Sequence, residues 1–165
     1  EDVAKTLSLS IEQIVSSVIL VAVFGEALRL RMGWTVVGQR SYEAKQVSAL
    51  AWGALGVGMV FLLVPEPAYV YPLILSLSLG DPLLGELRRK GSSTQTVISA
   101  GVLGIAAIWA GCAYLVGTPW LFVPLMAPIC VAAEWPRLRY IDDNATMLLI
   151  PLAVVLIFDQ FLGVM

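Results

Sequence analysis

The stretch AYVYPLILSLSLGDPLLGELRRKG, residues 68–91, decides how this chain is read. It is almost wholly apolar from Ala68 to Leu79, meets Asp81, and then ends in Arg88, Arg89 and Lys90. Carried on through Leu84 the segment is 17 residues, the short end of the range that crosses the hydrocarbon of a bilayer as a helix, about 17–25 residues. A carboxylate at its end is costly at membrane depth unless it faces protein, water, a cation or a metal. The run therefore predicts a membrane span with a chemically demanding end.

The rest of the chain repeats the pattern. Of its 165 residues 59% are hydrophobic and only 13% charged, where soluble domains carry roughly a quarter charged. Six apolar segments are expected as helices: 7–28, 47–64, 68–84, 97–116, 120–133 and 145–164. The reading is an all-α, polytopic integral membrane bundle of about six transmembrane helices, a single domain over 1–165. Pro124 and Pro128 predict that the fifth helix is broken or tilted, since each frees a backbone carbonyl. Ala54 with Gly58, and Ala107 with Gly111, have the spacing of close helix packing.

The cations lie on one side of this arrangement. Arg29, Arg31, Arg40 and Lys45 fall between the first two segments, Arg88, Arg89 and Lys90 after the third, and Arg137 and Arg139 between the fifth and sixth. The connections PEP at 65–67 and GTP at 117–119 carry none. The positive-inside rule then places the connections after the first, third and fifth spans in the cytoplasm and both termini outside. The chain begins at Glu1 without a methionine, and an N-terminal helix lacking here would move the true N-terminus inside.

With no histidine, His-based acid–base chemistry is excluded, and Cys112 and Cys130 sit in apolar segments with neither disulfide nor zinc spacing. Carboxylates remain. Glu26, Glu43, Asp81, Glu86, Glu134, Asp142 and Asp143 all fall in or beside the cationic connections. Glu86 has helical spacing to Arg89 and Lys90 and reads as a surface ion pair. Asp142, Asp143 and Asn144 have the residue types of a helix N-cap, although a cap needs only one acid. Taken jointly, acids beside arginines and lysines at a membrane boundary suit Mg²⁺ and phosphate together. Carboxylates hold the hard cation, cations hold phosphate oxygens, and one carboxylate takes a proton from a hydroxyl.

Four stretches also resemble the family of dolichol kinase, phytol kinase and the CTP-dependent diacylglycerol kinases, a group related to the phosphatidate cytidylyltransferases. GEALRLR (25–31) and RSYEAKQVSALAWGALG (40–56) are similar to its acidic-plus-arginine stretch and R-x-x-E element, here Arg40 and Glu43. LSLGDPLLGELRRKG (77–91) is similar to its glycine–aspartate motif, and VAAEWPRLRYIDDNATMLLIPL (131–152) to its closing motif. The resemblance implies a CTP-dependent kinase of a lipid alcohol (polyprenol, phytol or diacylglycerol), with Mg²⁺ as cofactor and CTP as co-substrate. It implies metal binding by Asp81, Glu134, Asp142 and Asp143, and catalysis among Asp81, Asp142 and Asp143. Nucleotide binding falls on Gly80, Arg40, Arg88, Arg89, Lys90 and Asn144, with Glu26 and Glu43 supporting. The family's lysine and glutamate–glycine pair after the aspartate motif have no counterpart in GSSTQTVISAG, and its N-terminal basic and histidine-bearing helix is also absent.

Expected partners are therefore a lipid alcohol, membrane lipids and a nucleotide, with a membrane-protein partner or homo-oligomer open and no nucleic acid. Two other functions fit the same residues. One is a non-catalytic relative acting as a membrane subunit or lipid-binding scaffold. The other is a small transporter, against which stands the gathering of acids on one face rather than across the membrane.

Overall fold

A computed structural model describes residues 9–35, 44–136 and 138–162, the last four in backbone only. Within them the chain is helical, with no strand: α1 Ile11–Met32, α2 Ala49–Leu63, α3 Pro67–Leu75, α4 Asp81–Arg89, α5 Thr94–Val116, α6 Phe122–Glu134 and α7 Asp143–Leu162. A π-helical turn, Ser76–Gly80, joins α3 to α4 into one rod. The six expected segments thus correspond to six rods, and the chain is a helical membrane bundle. Ile11–Met32, Pro67–Arg89 and Thr94–Val116 are each long and apolar enough to cross a bilayer. Large apolar side chains such as Leu20, Val21, Phe24, Leu103, Leu115 and Ile157 face outward, a surface suited to lipid rather than water.

Local chemistry sets the helix ends. Ser10, Ser48 and Ser93 accept hydrogen bonds from the backbone N–H three residues on, each acting as an N-cap. At the other ends of α1 and α5, Gly33 and Gly117 adopt φ of 67° and 81°, a left-handed conformation that costs glycine little. α1 runs on to Met32 and the third rod to Arg89. Arg29, Arg31, Arg88 and Arg89 are consequently last-turn residues rather than loop residues, where cations suit the helix dipole.

The prolines do not break the fifth helix. α6 is continuous from Phe122 to Glu134. Pro124 lies in its first turn, where an N–H has no helical partner in any case, and Pro128 removes one hydrogen bond without breaking the helix. The irregularity lies in the third rod instead. There Pro72 deprives the Ala68 carbonyl of its helical donor, and the Thr118 hydroxyl donates to that carbonyl from the loop before α6. The π turn follows just before Asp81–Pro82.

The Pro67–Arg89 rod packs on α2, α5 and α7, while α5, α6, α7 and α2 adjoin one another in series. α1 lies outermost, against α2. The core is built on Trp109, Tyr69, Phe122, Leu73, Ile105, Met126 and Leu148. Phe122 stacks on Trp109 at 5.9 Å and meets Tyr69 edge-on at 5.3 Å. Trp109 donates its indole N–H to the buried Ser76 hydroxyl at 2.9 Å, so the π turn is anchored to α5. Small residues let the rods approach: Gly58 faces Ile19 and Val15, Gly56 faces Leu148, and Gly101 faces Leu84 and Val131. Of the two expected pairs, Gly58 has this role, whereas Gly111 has open space beside it.

Candidate functional site: an acidic cluster at one end of the bundle

Asp81 opens α4 directly after the π turn, with Leu84 and Arg88 following on the same face at helical spacing. Leu84 is buried against Val97 and Met147, which fixes the rotation of α4 and turns Asp81 inward. Glu134 is the last residue of α6 and Asp143 the first of α7. The three rod ends bring carboxylate oxygens of Asp81, Glu134 and Asp143 within 4.8 Å of one another.

Glu134 is the demanding member. Its side chain is 1% exposed and it stands at a helix C-terminus, where the helix dipole disfavours negative charge. Arg88 compensates it with a two-pronged ion pair, Nη1 to Oε1 at 2.5 Å and Nη2 to Oε2 at 2.9 Å. The guanidinium also lies over the Trp135 ring, 4.8 Å from its centroid, a cation–π contact that holds the fork in place. Asp142 and Asp143 stand at the favourable end of a helix dipole. The Asn144 N–H donates to Oδ1 of each at 3.1 Å.

Two cavities meet at the ion pair. The larger, about 660 Å³, is lined by Gln46, Arg88, Glu134, Arg139, Asp142 and Asp143, among others. The smaller, about 410 Å³, is lined by Arg88, Ser92, Thr94, Val97, Glu134 and Trp135. A polar concavity carrying three carboxylates, two arginines and hydroxyls is thus open at one end of an otherwise apolar bundle.

The candidate residues divide accordingly. Asp81, Glu134, Asp143 and Arg88 come together. Asp142 stands beside them as the cap of α7: its carbonyl accepts from Ala145 and Thr146, and its carboxylate from Asn144. The Asn144 side chain donates to the Ala49 carbonyl at 3.4 Å, tying α7 to α2 rather than facing the cavity. Gly80 is buried, with Ile105 and Met147 packed against it. Arg89 and Lys90 are exposed and pair with Glu86 at 2.6 and 3.4 Å, the surface pairing expected of Glu86. Glu26 lies outside the acidic cluster. It binds Arg29 through both oxygens and accepts the Ser48 N–H at 2.6 Å, while Arg29 also donates to the Gln46 and Trp34 carbonyls. That network seals the joint between α1 and α2. Arg40 and Glu43 lie outside the described residues, as does Arg137.

Trp135 and Arg139 were not among the sequence-based site residues. Their one signal is position, because each lies within a few residues of Glu134 or Asp142.

An all-oxygen donor set is the kind Mg²⁺ takes, and the cluster fits the ion in chemistry. Mg–oxygen distances near 2.1 Å would require the carboxylates to draw somewhat closer around it. No family model, curated protein or solved structure matches this chain.

Proposed function

We propose that the protein is a kinase of a membrane lipid alcohol, using CTP and Mg²⁺ at the cytoplasmic end of the bundle, and that it belongs with the dolichol, phytol and diacylglycerol kinases. One observation carries this reading: carboxylates from three separate segments converge within 4.8 Å beside a cavity that also presents arginines. Acids and cations in one concavity suit a metal–phosphate ligand better than either group alone does. The same end carries Arg29, Arg31, Lys45, Arg88, Arg89, Lys90 and Arg139, which supports a cytoplasmic orientation.

In the reaction, the lipid hydroxyl oxygen attacks the γ-phosphorus of CTP. The bond from that phosphorus to the β–γ bridging oxygen breaks, and CDP departs with the electron pair. Asp143, on the cavity wall, takes the hydroxyl proton. Asp81, Glu134 and Asp143 are the residues that would hold Mg²⁺, which when bound neutralises phosphate charge. Arg139 and the exposed part of Arg88 orient phosphate oxygens, with Ser92 and Thr94 donating hydroxyls from the adjoining cavity. Arg88 thereby stands in for the lysine missing from the segment after Lys90.

A second reading, a non-catalytic membrane subunit, draws on the completeness of the Arg88–Glu134 pair, in which both carboxylate oxygens already have a guanidinium donor. Equilibrium CTP binding to the full chain in lipid nanodiscs separates the two. The kinase reading expects Mg²⁺-dependent binding that Asp81→Asn abolishes, and transfer of the γ-phosphoryl group to an added lipid alcohol. A folded protein with no CTP binding at any Mg²⁺ concentration sinks it in favour of the subunit.

A further inference from the structure

Arg88 stands on the last turn of α4, between the two polar cavities. On one side its guanidinium holds the acidic cluster through Glu134. On the other it shares a cavity wall with Ser92, Thr94 and Trp135. The two halves of the pair are not equally fixed. Glu134 is 1% exposed and ends a packed helix, whereas the Arg88 side chain is 37% exposed at the end of a long stem. If the pair opens, the arginine is the partner that moves. The Trp135 ring, 4.8 Å from the guanidinium, registers the movement.

The pair itself shows what opens it. Both Glu134 oxygens already accept from Arg88, at 2.5 and 2.9 Å, yet a Glu134 oxygen also lies within 4.8 Å of oxygens from Asp81 and Asp143. A divalent cation drawing on all three carboxylates therefore competes with the guanidinium for Glu134. Conversely, an oxyanion approaching Arg88 meets three neighbouring carboxylates that repel it until a cation offsets their charge. Cation and oxyanion each favour the same opened state of the pair, which is the condition for positive coupling between two ligands.

The geometry points to Arg88 as the resident counter-ion of the acidic cluster, exchanged for a divalent cation, with the released guanidinium building a phosphate site together with Ser92 and Thr94 in the smaller cavity. Ser93 takes no part, because its hydroxyl caps α5. The assignment rests on the kinase reading only in taking the cluster as a divalent-cation site; neither CTP nor the alcohol enters it. The phosphate belongs to a dissolved ligand or to a lipid head group, since the cavity lies at the end of the bundle where the basic residues gather.

The test uses the full chain in phosphatidylcholine nanodiscs, with free Mn²⁺ read from its electron paramagnetic resonance signal and empty discs as background. Inorganic phosphate is added in one arm, and phosphatidic acid is built into the discs in the other. The arm that tightens Mn²⁺ binding identifies the source. Wild type should bind Mn²⁺ about tenfold more tightly with phosphate than without. Arg88→Met should bind Mn²⁺ at least as tightly as wild type, and phosphate should no longer matter, which also removes Mn²⁺–phosphate pairing in solution as the cause. Glu134→Gln gives a second measurement. In that variant phosphate alone should change the Trp135 fluorescence, taken as the difference from a matched Trp135→Phe protein, whereas wild type needs the metal. Where Arg88→Met does not fold, the Glu134→Gln measurement decides alone. Weaker Mn²⁺ binding by folded Arg88→Met overturns the exchange, because Arg88 then acts as a support that orients Glu134. Mn²⁺ binding that neither phosphate source changes overturns it, as does a Glu134→Gln protein whose Trp135 ignores phosphate; both leave the kinase reading to the CTP experiment. Coupled binding in a protein that binds no CTP keeps the exchange and removes the kinase reading.

Discussion

Removing the guanidinium of Arg88 should harm the protein far more than removing the charge of its partner. Glu134 is 1% exposed, Arg88 is 37% exposed, and they meet through two hydrogen bonds. Stripping the cation from a fully buried pair costs about 3–5 kcal/mol, because the carboxylate remains in low dielectric without compensation. Water already screens Arg88 in part, which lowers the expectation for Arg88→Met to about 2–3 kcal/mol. Methionine keeps most of the apolar stem, so lost packing contributes little. The Glu134→Gln change leaves a cation that water can solvate and removes one of three neighbouring carboxylates, and its cost should be about 1 kcal/mol or less. Thermal unfolding in detergent with a chelator present, followed by tryptophan fluorescence, reads the difference. At about 2–4 °C per kcal/mol for a chain of this size, Arg88→Met should lose about 4–12 °C. The double variant should fall close to Glu134→Gln alone, because the stranded charge is gone. A Glu134→Gln protein as unstable as Arg88→Met, or less stable, would refute the reasoning that burial makes the pair asymmetric.

Asp142 and Asp143 should separate cleanly. Asp142→Ala removes a cap and should cost about 1 kcal/mol of stability while Mg²⁺-dependent CTP binding persists. Asp143→Asn should lose that binding with little change in melting temperature, and calorimetry with parallel melts checks both. Gly101→Ala pushes a methyl into Leu84 and Val131 and should destabilise by about 1–3 kcal/mol. Gly111→Ala, with nothing within 4 Å, should be neutral or stabilising by up to about 1 kcal/mol, and denaturant titration of the pair distinguishes them.

Membrane character, six rods and the side on which acids and cations gather were legible in the sequence. They follow from composition and from the requirement that backbone polar groups in lipid be satisfied within helices. Asp81, Glu134 and Asp143 were likewise visible as acids at the ends of apolar runs, where a carboxylate needs a reason to be. Their mutual distance was not visible, because it depends on how three rods are rotated about their own axes. For the third rod that rotation is set by a π turn anchored through Ser76 to Trp109 and by Leu84 against Val97 and Met147. Glu26 and Glu134 look alike in the sequence, each an acid near an arginine at the end of an apolar helix. Only tertiary structure assigned one to a seal between α1 and α2 and the other to the acidic cluster, because an ionisable group takes its role from the partners packed around it.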